Sequence, residues 1–115
     1  MSNHTIVIPV DDLAAATSFY RTAWGAEPHT ETAYYVGFNL DGQEIGLNPH
    51  GERDQMTGPV VYWATDDLAA KVAEVEAAGG TVVRPVTEVG GGTSLALLTD
   101  PAGNQVGFIT QAGQS

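Results

Sequence analysis

Apolar residues recur along this chain with two different periods. Over Thr5–Val10 and again over Val60–Thr65, β-branched and aromatic residues run almost unbroken, as they do in strands. An Asp-Asp pair follows each run, and the spacing then lengthens. Leu13, Ala16, Phe19, Tyr20, Ala23 and Trp24, and later Leu68, Val72 and Val75, recur at helical intervals. The pattern predicts two helices, each capped by Asp at its start and closed by glycine, Gly25 in the first and Gly79-Gly80 in the second. Three short strands are expected after each helix. They lie near Pro28–Thr32, Tyr34–Leu40 and Gln43–Asn48, then near Thr81–Pro85, Ser94–Thr99 and Gln105–Thr110. Asp41-Gly42 and Asp100-Pro101-Ala102-Gly103 are the turn signals between strands.

The two halves repeat. Ile6–Ala15 lies over Val61–Ala70 at an offset of 55, with Asp-Asp-Leu-Ala-Ala identical, and the same offset sets Gly25 on Gly80. Gly42–Leu47 matches Gly103–Phe108 at an offset of 61, so the second half carries about six extra residues, assigned to the glycine-rich stretch Val89–Ser94. Each half therefore reads as one βαβββ module. Module one takes about residues 1–55, module two about 56–115, and the polar segment Pro49–Pro59 links them within a single domain, 1–115.

Composition narrows the function classes. Four Lys and Arg stand against 14 Asp and Glu, a net charge of −10, and neither half is basic: residues 1–55 carry 2 basic and 8 acidic groups, 56–115 carry 2 and 6. Nucleic-acid binding is excluded, because phosphate affinity comes from the cations this chain lacks. A neutral or cationic small molecule is the expected partner. No apolar run approaches the roughly 20 residues of a membrane span. With no cysteine there is no disulfide, thiolate nucleophile or cysteine-bound zinc. The N-terminal residues show no export signal, which makes the cytoplasm the expected compartment.

Val10-Asp11-Asp12-Leu13, Ser18-Phe19-Tyr20-Arg21, Trp24-Gly25, Glu76–Gly80 and Asp100-Pro101-Ala102-Gly103-Asn104 carry a resemblance over essentially the whole chain. In order and spacing they resemble the vicinal oxygen chelate superfamily, which holds glyoxalase I, bleomycin- and fosfomycin-resistance proteins and extradiol dioxygenases. The resemblance implies an α+β fold of two βαβββ modules, whose curved mixed sheets surround a cup with the helices outside. It also implies a homodimer, with the cup completed either within one chain or across two. Family metal ligands come from the first and last strand of each module. Those positions here are Thr5, Gly46, Val60 and Gly107, which offer one hydroxyl and no imidazole or carboxylate. His4, His29 and His50 form no local ligand pair and read as surface or loop residues. The expectation is no metal and no cofactor.

If positions 5, 46, 60 and 107 face the cup, period-2 alternation turns Val7, Tyr35, Gly37, Asn39, Glu44, Asn48, Tyr62, Gln105 and Ile109 to the same side. Ile6, Ile8, Val10, Val36, Phe38, Leu40, Ile45, Leu47, Val61, Trp63, Val106 and Phe108 then pack under the helices. Tyr35 and Tyr62 supply aromatic area with a hydroxyl, Trp24 is placed at the cup edge, and Asn39, Asn48 and Gln105 supply paired donors and acceptors. Gly37, Gly46 and Gly107 are read as floor space. Glu44, the one cup-facing carboxylate, is the candidate general base or the partner of a ligand cation. Gly90-Gly91-Gly92 lacks the Lys-Ser or Lys-Thr and the helix of a phosphate loop, and reads as a flap or hairpin end. The Asp pairs read as helix caps rather than catalytic carboxylates.

Three functions follow. The first is a metal-free protein that binds a small molecule, sequestering an antibiotic or aromatic metabolite. The second is a lyase or isomerase using Glu44 or a tyrosine, or a metal held by other ligands. The third is a domain with a vestigial cup that works through a protein partner.

Overall fold

The computed structural model describes residues 3–111; residues 1, 2 and 112–115 of the expected domain lie outside them. The elements run β1 (Asn3–Pro9), α1 (Leu13–Trp24), β2 (Thr30–Glu31), β3 (Val36–Leu40), β4 (Gln43–Asn48), β5 (Val60–Ala64), α2 (Leu68–Ala77), β6 (Thr81–Gly90), β7 (Thr93–Thr99) and β8 (Gln105–Gln111). This is the expected α+β pattern, βαβββ twice. Two compact units are distinguished, Thr5–Val60 and, among the described residues, 61–111 together with Asn3 and His4.

In module one the strands lie in the order β2-β3-β4-β1. β1 pairs parallel with β4, from Thr5 opposite Glu44 to Pro9 opposite Asn48, and β3 pairs antiparallel with β2 and β4. Asp41 (φ 54°) and Gly42 (φ 91°) make the tight β3–β4 turn, both left-handed as that hairpin requires. Asp12 caps α1, its carboxylate accepting from the Ala15 N–H at 3.0 Å, and Gly25 closes the helix at φ 61°. Leu13, Ala16, Tyr20 and Trp24, each half-buried, form the inward stripe of α1 and pack on Val36, Phe38 and Leu47. The larger of them gain part of the about 1.5–3 kcal/mol that full burial of a big apolar side chain gives. Phe19, expected on that stripe, is 64% exposed. It lies one position off the i, i+3, i+7 row and touches only the edge of the layer, against Tyr20 at 5.1 Å.

Module two repeats the order as β5-β8-β7-β6, with β5 parallel to β8 and the other pairs antiparallel. Asp67 caps α2 through the Ala70 N–H at 3.0 Å. Leu68, Val72 and Val75 pack with Trp63, Ala96, Leu98 and Phe108. The Asp100 carboxylate accepts from the N–H of Ala102 and of Asn104, both at 2.9 Å, and so shapes the β7–β8 turn. Those bonds, led by Asn104, hold its acid form below the usual carboxylate range.

Three boundaries differ from expectation, the first at β2, which keeps only Thr30–Glu31 of the segment expected near Pro28–Thr32. β6 does not stop at Pro85 but continues to Gly90, with its register broken between Arg84 and Thr87, because Pro85 has no N–H to give to β7. The extra residues of module two therefore lengthen a hairpin, which turns at Gly91 (φ 63°) and Gly92 (φ 77°). β3 begins at Val36 rather than Tyr34, and that displacement builds the site.

Candidate functional site

The face of module one opposite α1 carries Gly37, Asn39, Glu44 and Gly46, since Val36, Phe38 and Leu47 take the helix side. A turn at Thr32 equips this face. The Thr32 hydroxyl accepts from the N–H of Tyr34 (3.1 Å) and Tyr35 (3.0 Å) and donates to the Tyr35 carbonyl (3.0 Å). This local bonding competes with the ladder and delays the start of β3 to Val36. Tyr34 is thrown to solvent, 73% exposed, while the Tyr35 ring is laid back across β3 and β4.

The ring covers both glycines of the Gly37–Gly46 pair. A β-carbon at Gly46 would stand 2.7 Å from Tyr35 Oη and 2.8 Å from its Cζ; one at Gly37 would meet Glu44 Oε2 at 2.7 Å, Tyr35 Cε2 at 2.9 Å and His29 Nε2 at 3.0 Å. These glycines are therefore not open floor. They are the room that a tyrosine, a glutamate and a histidine occupy.

Those side chains are joined. Tyr35 Oη donates to Glu44 Oε2 at 2.6 Å, His29 Nε2 lies 2.7 Å from Glu44 Oε1, and Thr30 Oγ1 lies 2.7 Å from His29 Nδ1. The His29 backbone N–H bonds the Gly37 carbonyl at 2.9 Å, which fixes the chain just before β2. Burial first, then the hydrogen bond to Glu44 and its charge, push the Tyr35 phenol well above its ordinary value, so it stays a donor. The Glu44 side chain is 26% exposed and that of His29 46%.

The other expected site residues are dispersed. Asn39 accepts from the Gly42 N–H at 2.9 Å and serves the β3–β4 turn. Asn48 donates to Asp54 at 3.0 Å and accepts from the His50 N–H at 2.8 Å, which folds the segment after β4; Met56 is buried there. Trp24 is not at a cup edge. It stacks on Tyr20 at 4.4 Å and meets Phe38 edge-on at 5.1 Å, between α1 and the sheet, because its spacing from Leu13 and Tyr20 fixes it on the inward stripe. In module two Tyr62 is 5% exposed, its ring over Gly107, its register partner on β8. Gln105, half-buried, pairs in register with Thr99.

The family positions for metal ligands do not fit a metal. Gly46 and Gly107 offer no side chain, and tyrosine rings fill the space a donor would need. Thr5 and Val60 are buried and present one hydroxyl between them. Among the described residues no three His, Asp or Glu are grouped to hold an ion. His29 is the site residue that sequence reasoning passed over. Alternation could not place it, since it precedes a strand of two residues.

The profile of the Glyoxalase/Bleomycin resistance protein/Dioxygenase superfamily fits residues 2–108, and the chain belongs to that superfamily. The anthracycline biosynthesis protein DnrV of Streptomyces peucetius is 31% identical over 111 residues, covering 80% of this chain and 40% of that protein. The chain thus spans about 40% of the length of this curated relative. Among solved structures, the NAD-dependent benzaldehyde dehydrogenase from Legionella pneumophila superposes with a TM-score of 0.78 at 15% identity, covering 96% of this chain and 99% of that one. The methylmalonyl-CoA epimerase of Streptomyces coelicolor, in complex with 2-nitronate-propionyl-CoA, gives 0.69 at 19%, covering 98% and 96%. At these identities the likeness is one of fold, and the fold hosts many chemistries. No helix among the described residues is long and apolar enough to cross a membrane.

Proposed function

We propose that the chain binds a small aromatic molecule, neutral or cationic, on the module-one face that carries Tyr35, Glu44 and His29, and that it does so without a metal ion. The observation that carries this reading is the Tyr35 ring over Gly46: the family's ligand position has been exchanged for an aromatic surface tied to a carboxylate. A half-buried ring edged by polar groups suits a flat ligand with a few polar atoms. The relative that takes part in anthracycline biosynthesis supports the aromatic class, and the net charge of −10 disfavours anions. Tyr62 and Gln105 have the corresponding part in module two, with Tyr62 as floor rather than wall. Sequestration of an antibiotic or aromatic metabolite by a cytoplasmic homodimer is the physiological form of this reading, supported by the resemblance alone.

The test is a titration of the purified, metal-analysed protein with an anthracycline and with a bleomycin-type glycopeptide, followed by intrinsic fluorescence. Saturable binding of either by metal-free protein is expected, about tenfold weaker in Tyr35→Ala, equivalent to about 1.4 kcal/mol. Stoichiometric zinc, nickel, iron or manganese, or binding indifferent to Tyr35, overturns the reading.

A further inference from the structure

We propose that a second small-molecule site lies on the helix side of module one and takes an α-amino acid with an apolar side chain, bound as its zwitterion. A groove of about 430 Å³ opens there between α1 and the segment Glu31–Ala33, a size suited to a small organic ligand. Its floor is Leu13 and Val36, at the edge of the layer that α1 makes with the sheet, and Ala33 extends the apolar part. Two of its hydroxyls are spent. Thr17 donates to the Leu13 carbonyl at 2.7 Å, and Thr32 holds the turn before β3. The exposed Ser18 hydroxyl on the rim makes no hydrogen bond among the described residues.

The charges on the rim select the ligand. Arg21 stands one helical turn after Ser18, on the same side of α1. Its Nε is buried 2.9 Å from Glu27 Oε1 yet lacks the angle of a hydrogen bond, and its Nη2 is 3.7 Å from Glu31 Oε1, beyond hydrogen-bond reach. Both glutamate side chains are mostly exposed, and ion pairs so placed hold little energy. The terminal guanidinium nitrogens therefore keep their donors for a bidentate carboxylate, with the Ser18 hydroxyl beside them. A bare anion gains little, because the guanidinium is accompanied by Glu27 and Glu31 in a chain of net charge −10. A ligand ammonium set against Glu31 removes that opposition. Carboxylate on Arg21, ammonium on Glu31 and hydrocarbon over Leu13 and Val36 are together the parts of an apolar amino acid. The proposal is independent of what the Tyr35 face binds. Thr32 and Ala33 nevertheless belong to the turn that lays Tyr35 across Gly46, so a ligand in the groove bears on that face from behind.

The test is a titration of the isotopically labelled full chain with L-leucine, followed by amide NMR, with circular dichroism to check the fold of each variant. Leucine has no ring, which separates this groove from the aromatic face. Saturable shifts are expected at Ser18, Arg21, Glu31, Thr32 and Ala33. Arg21→Gln and Glu31→Gln should each weaken binding about tenfold or more, the loss that goes with a hydrogen bond to a charged group. Arg21→Lys keeps the charge but loses the fork, and should fall between Arg21→Gln and wild type. Isoamylamine, which lacks the carboxylate, and isocaproate, which lacks the ammonium, should each bind about tenfold more weakly than leucine. Absence of saturable shifts, or shifts confined to residues around Tyr35 and Glu44, overturns the proposal. So does leucine affinity unchanged in folded Arg21→Gln. Isoamylamine or isocaproate bound as tightly as leucine overturns the assignment of a zwitterion.

Discussion

Replacing Gly46 by alanine adds a single methyl group on β4, and the structure states what that group meets. It would stand 2.7 Å from Tyr35 Oη and 2.8 Å from Cζ, below the 3.0 Å that real β-carbons keep. Both neighbours belong to one ring, and the ring is tied to Glu44 by a 2.6 Å hydrogen bond, so it cannot yield without stretching that bond. Crowding of this kind costs about 1–3 kcal/mol. A hydrogen bond to a charged group adds about 1.5–3 kcal/mol when fully lost. About half of that applies here, because the ring is half-exposed and water replaces part of it. Losing a glycine from the unfolded chain returns about 0.5 kcal/mol. The net is a destabilisation of about 1–4 kcal/mol, centred near 2.5, or a melting temperature lower by about 10 °C. Urea unfolding of a double-mutant cycle checks it. In a Tyr35→Ala background the same methyl group should cost almost nothing, a coupling of about 2 kcal/mol. Equal costs in the two backgrounds would refute the claim that the ring is what excludes a side chain.

Three further outcomes are expected. Trp24→Ala should cost about 3–5 kcal/mol by emptying the layer between α1 and Phe38, while ligand affinity measured on the folded fraction stays within twofold. Asp12→Ala and Asp67→Ala should each cost about 1 kcal/mol in thermal unfolding, with the double variant additive to about 0.5 kcal/mol. The Tyr35 phenol titrates above its ordinary value of 10.0 in the folded state, so the stability it confers is full below pH 10.0 and is lost as pH rises beyond it. Urea midpoints followed from pH 8 upward should therefore fall less steeply in Tyr35→Phe than in wild type, and parallel curves would count against the Tyr35–Glu44 bond.

Much of the fold was legible because it rests on short-range signals. Asp12 and Asp67 before helical spacing, Gly25 after it, and Asp41-Gly42 between alternating runs each act within about four residues, and each was found where the pattern placed it. The helix side of the sheet was legible for a similar reason, since alternation sorts Val36, Phe38 and Leu47 from Gly37 and Gly46. The site was less so. Trp24 shares the helical spacing of Leu13, Ala16 and Tyr20, and that angle sets it against Phe38 instead of at a cup edge. The cover over Gly37 and Gly46 is not legible, because a sequence does not show what folds over a glycine. Tyr35 falls in a turn governed by one hydroxyl, Thr32, and His29 precedes a two-residue strand; neither position carries a period to read.

The tyrosines over Gly46 and Gly107 come from different places in their modules. Tyr62 lies on β5 and pairs with Gly107 directly, whereas Val7 is the β1 residue that pairs with Gly46, and the ring there arrives from the turn before β3. Two copies of one module thus fill the same position by unrelated routes. The two halves are therefore locked separately. Placing any larger side chain at Gly46 or Gly107 requires the glycine and its tyrosine to change together, and the ring to be removed is a different one in each half. A single substitution at either glycine lowers stability by itself.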